Sequence, residues 1–318
     1  MSDIRPVRKA VFPVAGLGTR LLPATKVMPK EMLTIVDKPL IQLAVEEAKQ
    51  AGIEQFIFVI NYGKEMLLQH FDDVPALMDV LEKRGKTDQI RRVKEAELPN
   101  GSLHTALQRE ALGLGHAVWC ARQAVGDEPF AVLLPDDNVL ADEGCLAQMM
   151  RAYNKVGGNV ISVAEVPDKD TSKYGILDIA SQDDKIVEVK GLVEKPAPQD
   201  APSNIAIQGR YILQPEIFDL LARHERGAGG EIQLTDAMAQ LLKTQPFHGL
   251  LFEGERLDCG NDVGFVKAQI AYALKNPALA DEISRYMMEK LRDYHSESPM
   301  TRSSDNPNFG GSDARKFG

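Results

Sequence analysis

Along most of the chain, short continuous apolar runs alternate with stretches in which apolar residues recur at helical spacing. The first run, Ala10 to Ala15, reads as a buried strand and ends in the glycine-rich turn Gly16-Leu-Gly-Thr-Arg20. From Pro39 to Gln50 the residues Ile41, Ala44, Val45 and Ala48 fall on one helical face, with Gly52 placed to stop the helix. Phe56 to Ile60 is again a buried strand. Strand, helix and strand in that order make a βαβ unit, whose crossover is right-handed and whose sheet needs helices on both faces.

Further strands are predicted at Phe130 to Leu134, Asn159 to Glu165, Ile176 to Ile179, Ile186 to Val193, Ile205 to Leu213 and Gly249 to Phe252. Helices are predicted at His116 to Ala124, Cys145 to Lys155, Pro215 to Arg223, Asp236 to Leu242, Asp262 to Leu274 and Pro277 to Tyr294. The first half alternates strand with helix, whereas Ile176 to Leu213 holds strands separated by turns, so the pattern predicts an α/β fold with a mixed sheet and a β-rich second half. No linker rich in Pro, Gly or Ser divides residues 1–295, which are expected to form a single domain. Residues 296–318 differ: more than half are Ser, Gly, Pro or Asn, and this tail is expected to be disordered.

Composition narrows the class. With 318 residues, 44% hydrophobic and 26% charged, the chain can bury a large core. Its net charge of −9 argues against nucleic acid and anionic membrane surfaces as partners, so an anionic ligand has to be met by locally placed cations. Cys120, Cys145 and Cys259 form neither a CxxC pair nor a Cys/His cluster, which suits a reducing compartment. Neither an N-terminal apolar stretch nor a run near the roughly 18 apolar residues of a membrane helix is present, so a cytoplasmic location is expected.

Against that acidic background the cations beside the glycine turn stand out. Arg20, Lys26, Lys30 and Lys38 follow it closely, and glycines let backbone N–H groups approach a phosphate. By spacing alone the turn reads equally as a tight structural turn or a phosphate cradle. The dinucleotide fingerprint fails because Leu21 stands where its last glycine belongs, and Gly85-Lys86-Thr87 fails as a P-loop because Val80 replaces the leading glycine. Leu133-Leu-Pro-Asp-Asp137 puts two carboxylates at a strand end, a place suited to Mg2+, although by itself the pattern more often marks a simple turn or helix cap. Leu257-Asp-Cys-Gly-Asn261 carries a second acid, and Val193-Glu-Lys-Pro196 sets an acceptor suited to sugar hydroxyls beside a donor suited to a phosphate, though such a tetrapeptide is more commonly a surface charge pair ahead of a proline turn.

These segments, in this order, resemble the bacterial UTP–glucose-1-phosphate uridylyltransferases within the wider sugar-phosphate nucleotidyltransferase family. The resemblance covers about residues 7 to 290 and rests on Gly16 to Lys26, Pro29 to Leu33, Asp37 to Ile41, Gly113 to Ala117, Leu134 to Asp137, Val193 to Pro196, Pro202 to Asn204, Gly230 to Asp236 and Asp258 to Asn261. It implies a Rossmann-like three-layer α/β/α sandwich with a mixed, mostly parallel central sheet. The nucleotide half covers about 7–150, the sugar-phosphate half about 151–260, and C-terminal helices 262–294. It also implies that UTP and glucose 1-phosphate give UDP-glucose and pyrophosphate with Mg2+ as cofactor, in a homodimer or homotetramer.

By the same resemblance, Ala15, Gly16, Gly18, Thr19 and Arg20 hold the triphosphate, Lys30 supports the departing pyrophosphate, and Asp136 and Asp258 hold the metal. Gln108 and Gly113 read the uracil edge and Glu31 assists near the nucleoside. Lys195 holds the sugar phosphate, while Glu194 and the Gly175 backbone bind glucose hydroxyls. His116, at the start of a helix, is expected to be structural. The competing readings are a glucose-1-phosphate thymidylyltransferase and a non-catalytic regulatory paralogue; the second has little physical reason to keep Arg20, Lys30, Asp136, Lys195 and Asp258 together.

Overall fold

The structure is a computed structural model and describes residues 4–297. Strand β1 spans Lys9–Pro13 and is followed by three short 3-10 turns, a small ribbon of β2 (Thr34–Ile35) and β3 (Lys38–Pro39), and helix α1 (Leu40–Gln50). Strand β4 (Gln55–Ile60) completes the βαβ unit. Leu40, Ile41, Ala44, Val45 and Ala48 of α1 are buried, as the helical spacing requires.

Between β4 and β5 (Leu103–Leu107) lie α2 (Glu65–Gln69), α3 (Pro75–Lys83) and α4 (Thr87–Ala96), none of which the apolar pattern predicts. The reason is physical: α3 and α4 bury no residue completely, and β5 is a half-exposed edge strand without an apolar run. The helix expected at His116 to Ala124 is two helices, α5 (Leu114–Cys120) and α6 (Arg122–Val125), broken at Ala121. Then come β6 (Phe130–Leu133), β7 (Asp137–Leu140), α7 (Cys145–Val156) and β8 (Asn159–Glu165). The second half holds β9 (Gly175–Asp183), β10 (Ile186–Glu194), β11 (Ile205–Leu213), α8 (Ile217–Leu221), α9 (Leu234–Leu241), β12 (Phe247–Leu251) and β13 (Glu255–Asp258). Helices α10 (Asp262–Lys275) and α11 (Ala280–Glu297) end the described chain.

Nine strands form one sheet in the order β5-β4-β1-β6-β11-β8-β12-β10-β9. From β5 to β6 all neighbours are parallel, and β8 pairs β12 in the same sense. Every other pairing in that sheet is antiparallel, so the sheet is mixed and the expectation that it is mostly parallel is corrected. Short turns join β9 to β10, which makes antiparallel pairing the only one open to them. The β-rich second half is as expected.

Successive strand residues face opposite sides of the sheet, and each side has its own core. Val11, Ile57 and Val132 share one with Ala117, Val118, Ala121 and Met238. Phe12, Phe58 and Leu133 share the other with Ile41, Val45, Leu146 and Met149. Phe12 and Phe58, paired in register, pack edge to face with centroids 5.4 Å apart.

The chain divides into two compact units, 1–269 and 270–318. The described part of the second begins within α10 and includes α11, which runs to Glu297. Of the tail expected at 296–318, residues 298–318 lie outside the described residues. Among the described residues no helix is long and apolar enough to cross a membrane.

Candidate active site

β1 lies between β4 and β6, where connections leave to opposite sides and a crevice opens beyond the strand's C-terminal end. The glycine turn occupies that position. Gly18 adopts φ 65°, and a Cβ there would meet Lys30 Cβ at 3.1 Å, so glycine allows the turn to lie against the Lys30 segment. Thr25 Oγ1 pins the turn by donating to the Gly18 carbonyl (2.8 Å). Thr19 and Arg20 remain exposed at the cleft, and Lys30 Nζ donates to Asp136 Oδ2 at 2.5 Å.

Burial alone would lower the Lys30 pKa, but the Asp136 and Glu31 carboxylates outweigh it and the net shift is upward. Burial likewise acts to raise Asp136, yet the Lys30 ammonium prevails and holds its carboxyl below the usual value. Both groups therefore stay charged over a wide pH range.

Asp136 and Asp258 are far apart in sequence, and an antiparallel ribbon joins them: β7 pairs β13 with Asp137 opposite Asp258. The Cys259 N–H donates to the Asp136 carbonyl (2.7 Å), which fixes the two turns side by side. A Cβ on Gly260 would lie 3.0 Å from Asp258 Oδ1 and 3.2 Å from Asp136 Oδ2, so the carboxylates bracket that glycine. Asp258 is further oriented by the Gly260 N–H (2.9 Å) and Asn261 Nδ2 (3.0 Å).

Asp137 turns to a different task. It accepts from the Gly209 N–H and from Arg256 Nε, each at 2.7 Å, and Arg256 also donates to the Tyr174 hydroxyl. Burial pushes the Asp137 carboxyl up, with Arg256 opposing it. Behind the turn Arg210 is fully buried and forks onto Glu47, while its Nη1 donates to the Leu134 and Asp137 carbonyls at 2.8 and 2.6 Å. The turn that carries Asp136 is thus held by a buried cation whose charge is balanced on α1.

The other side of the cleft comes from β9 and β10, whose register places Gly175 opposite Glu194. Lys195 follows with φ 48°, its N–H bonded to the Tyr174 carbonyl (2.9 Å) and its ammonium 3.2 Å from Glu194 Oε1. One cleft of about 580 Å³ is lined by Gly16, Gly18, Thr19, Arg20, Lys30, Asp136, Gly175, Glu194 and Lys195. Asp258 borders it through Gly260.

A second cavity of about 250 Å³ is lined by Ala15, Gly16, Gln108 and Gly113 and shares Gly16 with the cleft. Gly113 has φ 106°, and a Cβ there would come within 2.9 Å of the Ile232 carbonyl oxygen, so only glycine fits beside the Glu231–Ile232 segment that leads into α9. Gln108 Nε2 is within hydrogen-bond distance of the Gly113 carbonyl and of His116.

Glu31 is the exception among the expected site residues. It is 1% exposed, lines neither cavity, and accepts from Lys64 Nζ at 2.7 Å. Burial raises its pKa against the pull of Lys64 and Lys30. Its carboxylate offsets two ammonium charges, those of Lys64 and Lys30.

Arg210, Glu47, Arg256, Tyr174 and Lys64 were not singled out from the sequence. One signal was available: Gln208-Gly-Arg210 interrupts the apolar run Ile205 to Leu213, and a wholly buried strand keeps a charge only where a partner waits.

The family described as nucleotidyl transferase matches residues 9–275. A UTP–glucose-1-phosphate uridylyltransferase of Komagataeibacter xylinus is 51% identical over 260 residues, covering 82% of this chain and 92% of that one. The structure resembles a UTP-bound UGPase from Acinetobacter baumannii with a TM-score of 0.83 at 41% identity, over 89% of this chain and 99% of that chain. It also resembles a UDP-glucose pyrophosphorylase complexed with UDP-glucose, with a TM-score of 0.76 at 39% identity over 85% of this chain and 100% of the other.

Proposed function

The chain belongs to the nucleotidyl transferase family, and on that premise we propose how its cleft joins UTP and glucose 1-phosphate into UDP-glucose and pyrophosphate. The observation that carries the reading is one cleft lined by two cation groups, Arg20 with Lys30 on one side and Lys195 beside Glu194 on the other. Two anionic reactants need such an arrangement to approach each other. The two cores on opposite sides of the sheet support the three-layer α/β/α reading.

In this reading the backbone from Ala15 to Thr19 and the Arg20 guanidinium hold the triphosphate, and Gln108 and Gly113 face the uracil from the adjoining cavity. Glu194 and the Gly175 backbone take glucose hydroxyls, and Lys195 holds the sugar phosphate. An oxygen of that phosphate attacks the α-phosphorus in line as pyrophosphate leaves, and Lys30 neutralises the charge that builds on the leaving group. No covalent enzyme intermediate or general base is needed, because positioning and electrostatics supply the acceleration.

Asp136 and Asp258 fit Mg2+: two hard carboxylates close in on the buried Gly260, and they would hold the ion together with phosphate oxygens and water. When bound there, the ion supplies charge neutralisation to the phosphates. We retain the cytoplasmic location and the homodimer or homotetramer as part of the reading; Tyr286, Met288, Leu291 and Tyr294 stand exposed on α11, an apolar supply for a second copy.

The test is pyrophosphate release with each nucleoside triphosphate against glucose 1-phosphate and galactose 1-phosphate. UTP with glucose 1-phosphate is the expected best pair. Equal turnover with dTTP would move the reading towards thymidylyl transfer, and no release with any pair would leave a binding protein.

A further inference from the structure

Gln108 Nε2 lies 3.2 Å from the Gly113 carbonyl oxygen and 3.1 Å from His116 Nδ1. A carbonyl oxygen only accepts, so the amide atom facing Gly113 is the nitrogen, and these two partners take both of its hydrogens. His116 Nδ1 is then the acceptor, which leaves the ring proton on Nε2, 3.9 Å from Cys120 Sγ. Gln108 and His116 are 5% and 8% exposed, so water offers neither a ready substitute. Burial, and after it the neighbouring His224, lower the His116 pKa against a backbone hydrogen bond to Glu110 and the Glu110 charge, which raise it, and the net shift favours the neutral ring that can accept.

We propose that His116 is a positioning residue for base selection: it locks the Gln108 amide so that only the oxygen, Oε1, is offered to a bound base. The proposal rests on the reading that Gln108 faces the uracil. An acceptor alone demands a donor on the ring. With Oε1 facing ring position 3, uracil meets it with N3–H, whereas cytosine presents a lone pair there and leaves two acceptors opposed; at position 4 the order would reverse, since cytosine carries an amino donor where uracil carries a carbonyl. Thymine shares the uracil edge, so this device separates uracil from cytosine and is blind to the methyl.

Turning the amide over would set Oε1 against both the Gly113 oxygen and the His116 Nδ1 lone pair. Without His116 only the first of these repulsive contacts remains, and the turned amide, with its NH2 towards the base, would accommodate cytosine. The bland alternative is a core histidine that merely packs, its ring 5.8 Å from Trp119 and 5.6 Å from His224.

The experiment compares UTP with CTP, as the ratio of kcat/KM with glucose 1-phosphate, in wild type, His116→Leu, His116→Asn and Gln108→Leu. Leucine deletes the acceptor, whereas asparagine returns one near the position of Nδ1; both lose the ring packing. The UTP preference is expected to fall about tenfold in His116→Leu and to stay within about threefold of wild type in His116→Asn. Equal loss in both variants, or an unchanged ratio in His116→Leu beside a changed one in Gln108→Leu, overturns the role of His116. An unchanged ratio in Gln108→Leu overturns instead the reading of Gln108. Should His116→Leu fail to fold, nitrogen NMR of histidine-labelled wild type decides the matter without substitution: the Nε2-protonated ring is expected, and an Nδ1-protonated ring would sink the proposal.

Discussion

Where the strands run parallel, the cleft is lined by loops leaving strand ends: the glycine turn after β1 and the acidic turn after β6. Where they run antiparallel, it is lined by residues within or just beyond the strands themselves: Glu194 at the end of β10, Gly175 opposite it, and Gln208 and Gly209 inside β11. The first region offers backbone N–H groups and cations to a polyanion. The second offers an acceptor and the Lys195 ammonium at fixed register, with Lys173 on the same wall, which suits a ligand carrying both hydroxyls and a phosphate. A loop can fold around phosphates, whereas a strand register sets the spacing of groups that must match a ring.

That comparison is tested most severely at the acidic turn. Asp136→Asn and Asp258→Asn nearly preserve volume while each removes a carboxylate proposed to hold the metal, and kcat is expected to fall by about a thousandfold, the worth of several kcal/mol of charge stabilisation. Melting temperatures, followed in parallel, should move little. Full activity in either variant at low Mg2+ removes that residue from the metal site.

On the strand-built side, Lys195→Met keeps most of the stem and deletes the charge, at a cost of about 10²–10³ in turnover. Calorimetry with Mg2+ should find UTP affinity much less affected than in Arg20→Met. If UTP binding weakens as steeply as in Arg20→Met while glucose 1-phosphate kinetics barely change, the two regions do not divide the two anions.

Arg210 joins the regions, since β11 carries it and its Nη1 holds the acidic turn. Arg210→Met leaves the Glu47 carboxylate buried without its partner and is expected to destabilise by about 3–5 kcal/mol. Adding Glu47→Gln should recover part of this in urea melts. No recovery would show that the arginine acts through the turn carbonyls rather than through the charge pair.

The smallest effect concerns pH. Because the folded Asp136 carboxyl is held low by Lys30, its pairing stabilises above the unfolded carboxylate range and is lost as pH falls through the lower folded value. Lys30, shifted upward, contributes below the unfolded lysine range and loses that contribution only as pH rises through its higher folded value. The stability gap between wild type and Lys30→Met should therefore narrow on acidification through the carboxylate range. A gap constant in urea melts across that range would detach this pair from acid unfolding.

Much of this was legible in the sequence wherever chemistry and local pattern coincide. An apolar run that stops at Gly16-Leu-Gly18 announces both a strand and its turn, and Glu194-Lys195 announces its own pairing of acceptor and donor. The helices at Pro75–Lys83 and Thr87–Ala96 were illegible because no completely buried residue marks an inward face. Only the fold shows that the chain turns between Lys30 and Glu31, sending one residue to Asp136 and the next to Lys64. Arg210 and Glu47 meet across 163 positions, a distance no local pattern spans.

The Glu47–Arg210 pair also bears on how the protein emerges from the ribosome. α1 and its glutamate are synthesised early, but the balancing guanidinium arrives only with β11, which inserts between β6 and β8 near the middle of the sheet. A nascent chain that has reached β8 therefore carries an unbalanced acid at a site meant for burial and exposes the flanks of two unjoined strands. Stable closure of the amino-terminal half must wait for translation to pass Leu213, so the two halves of this chain mature together rather than one after the other.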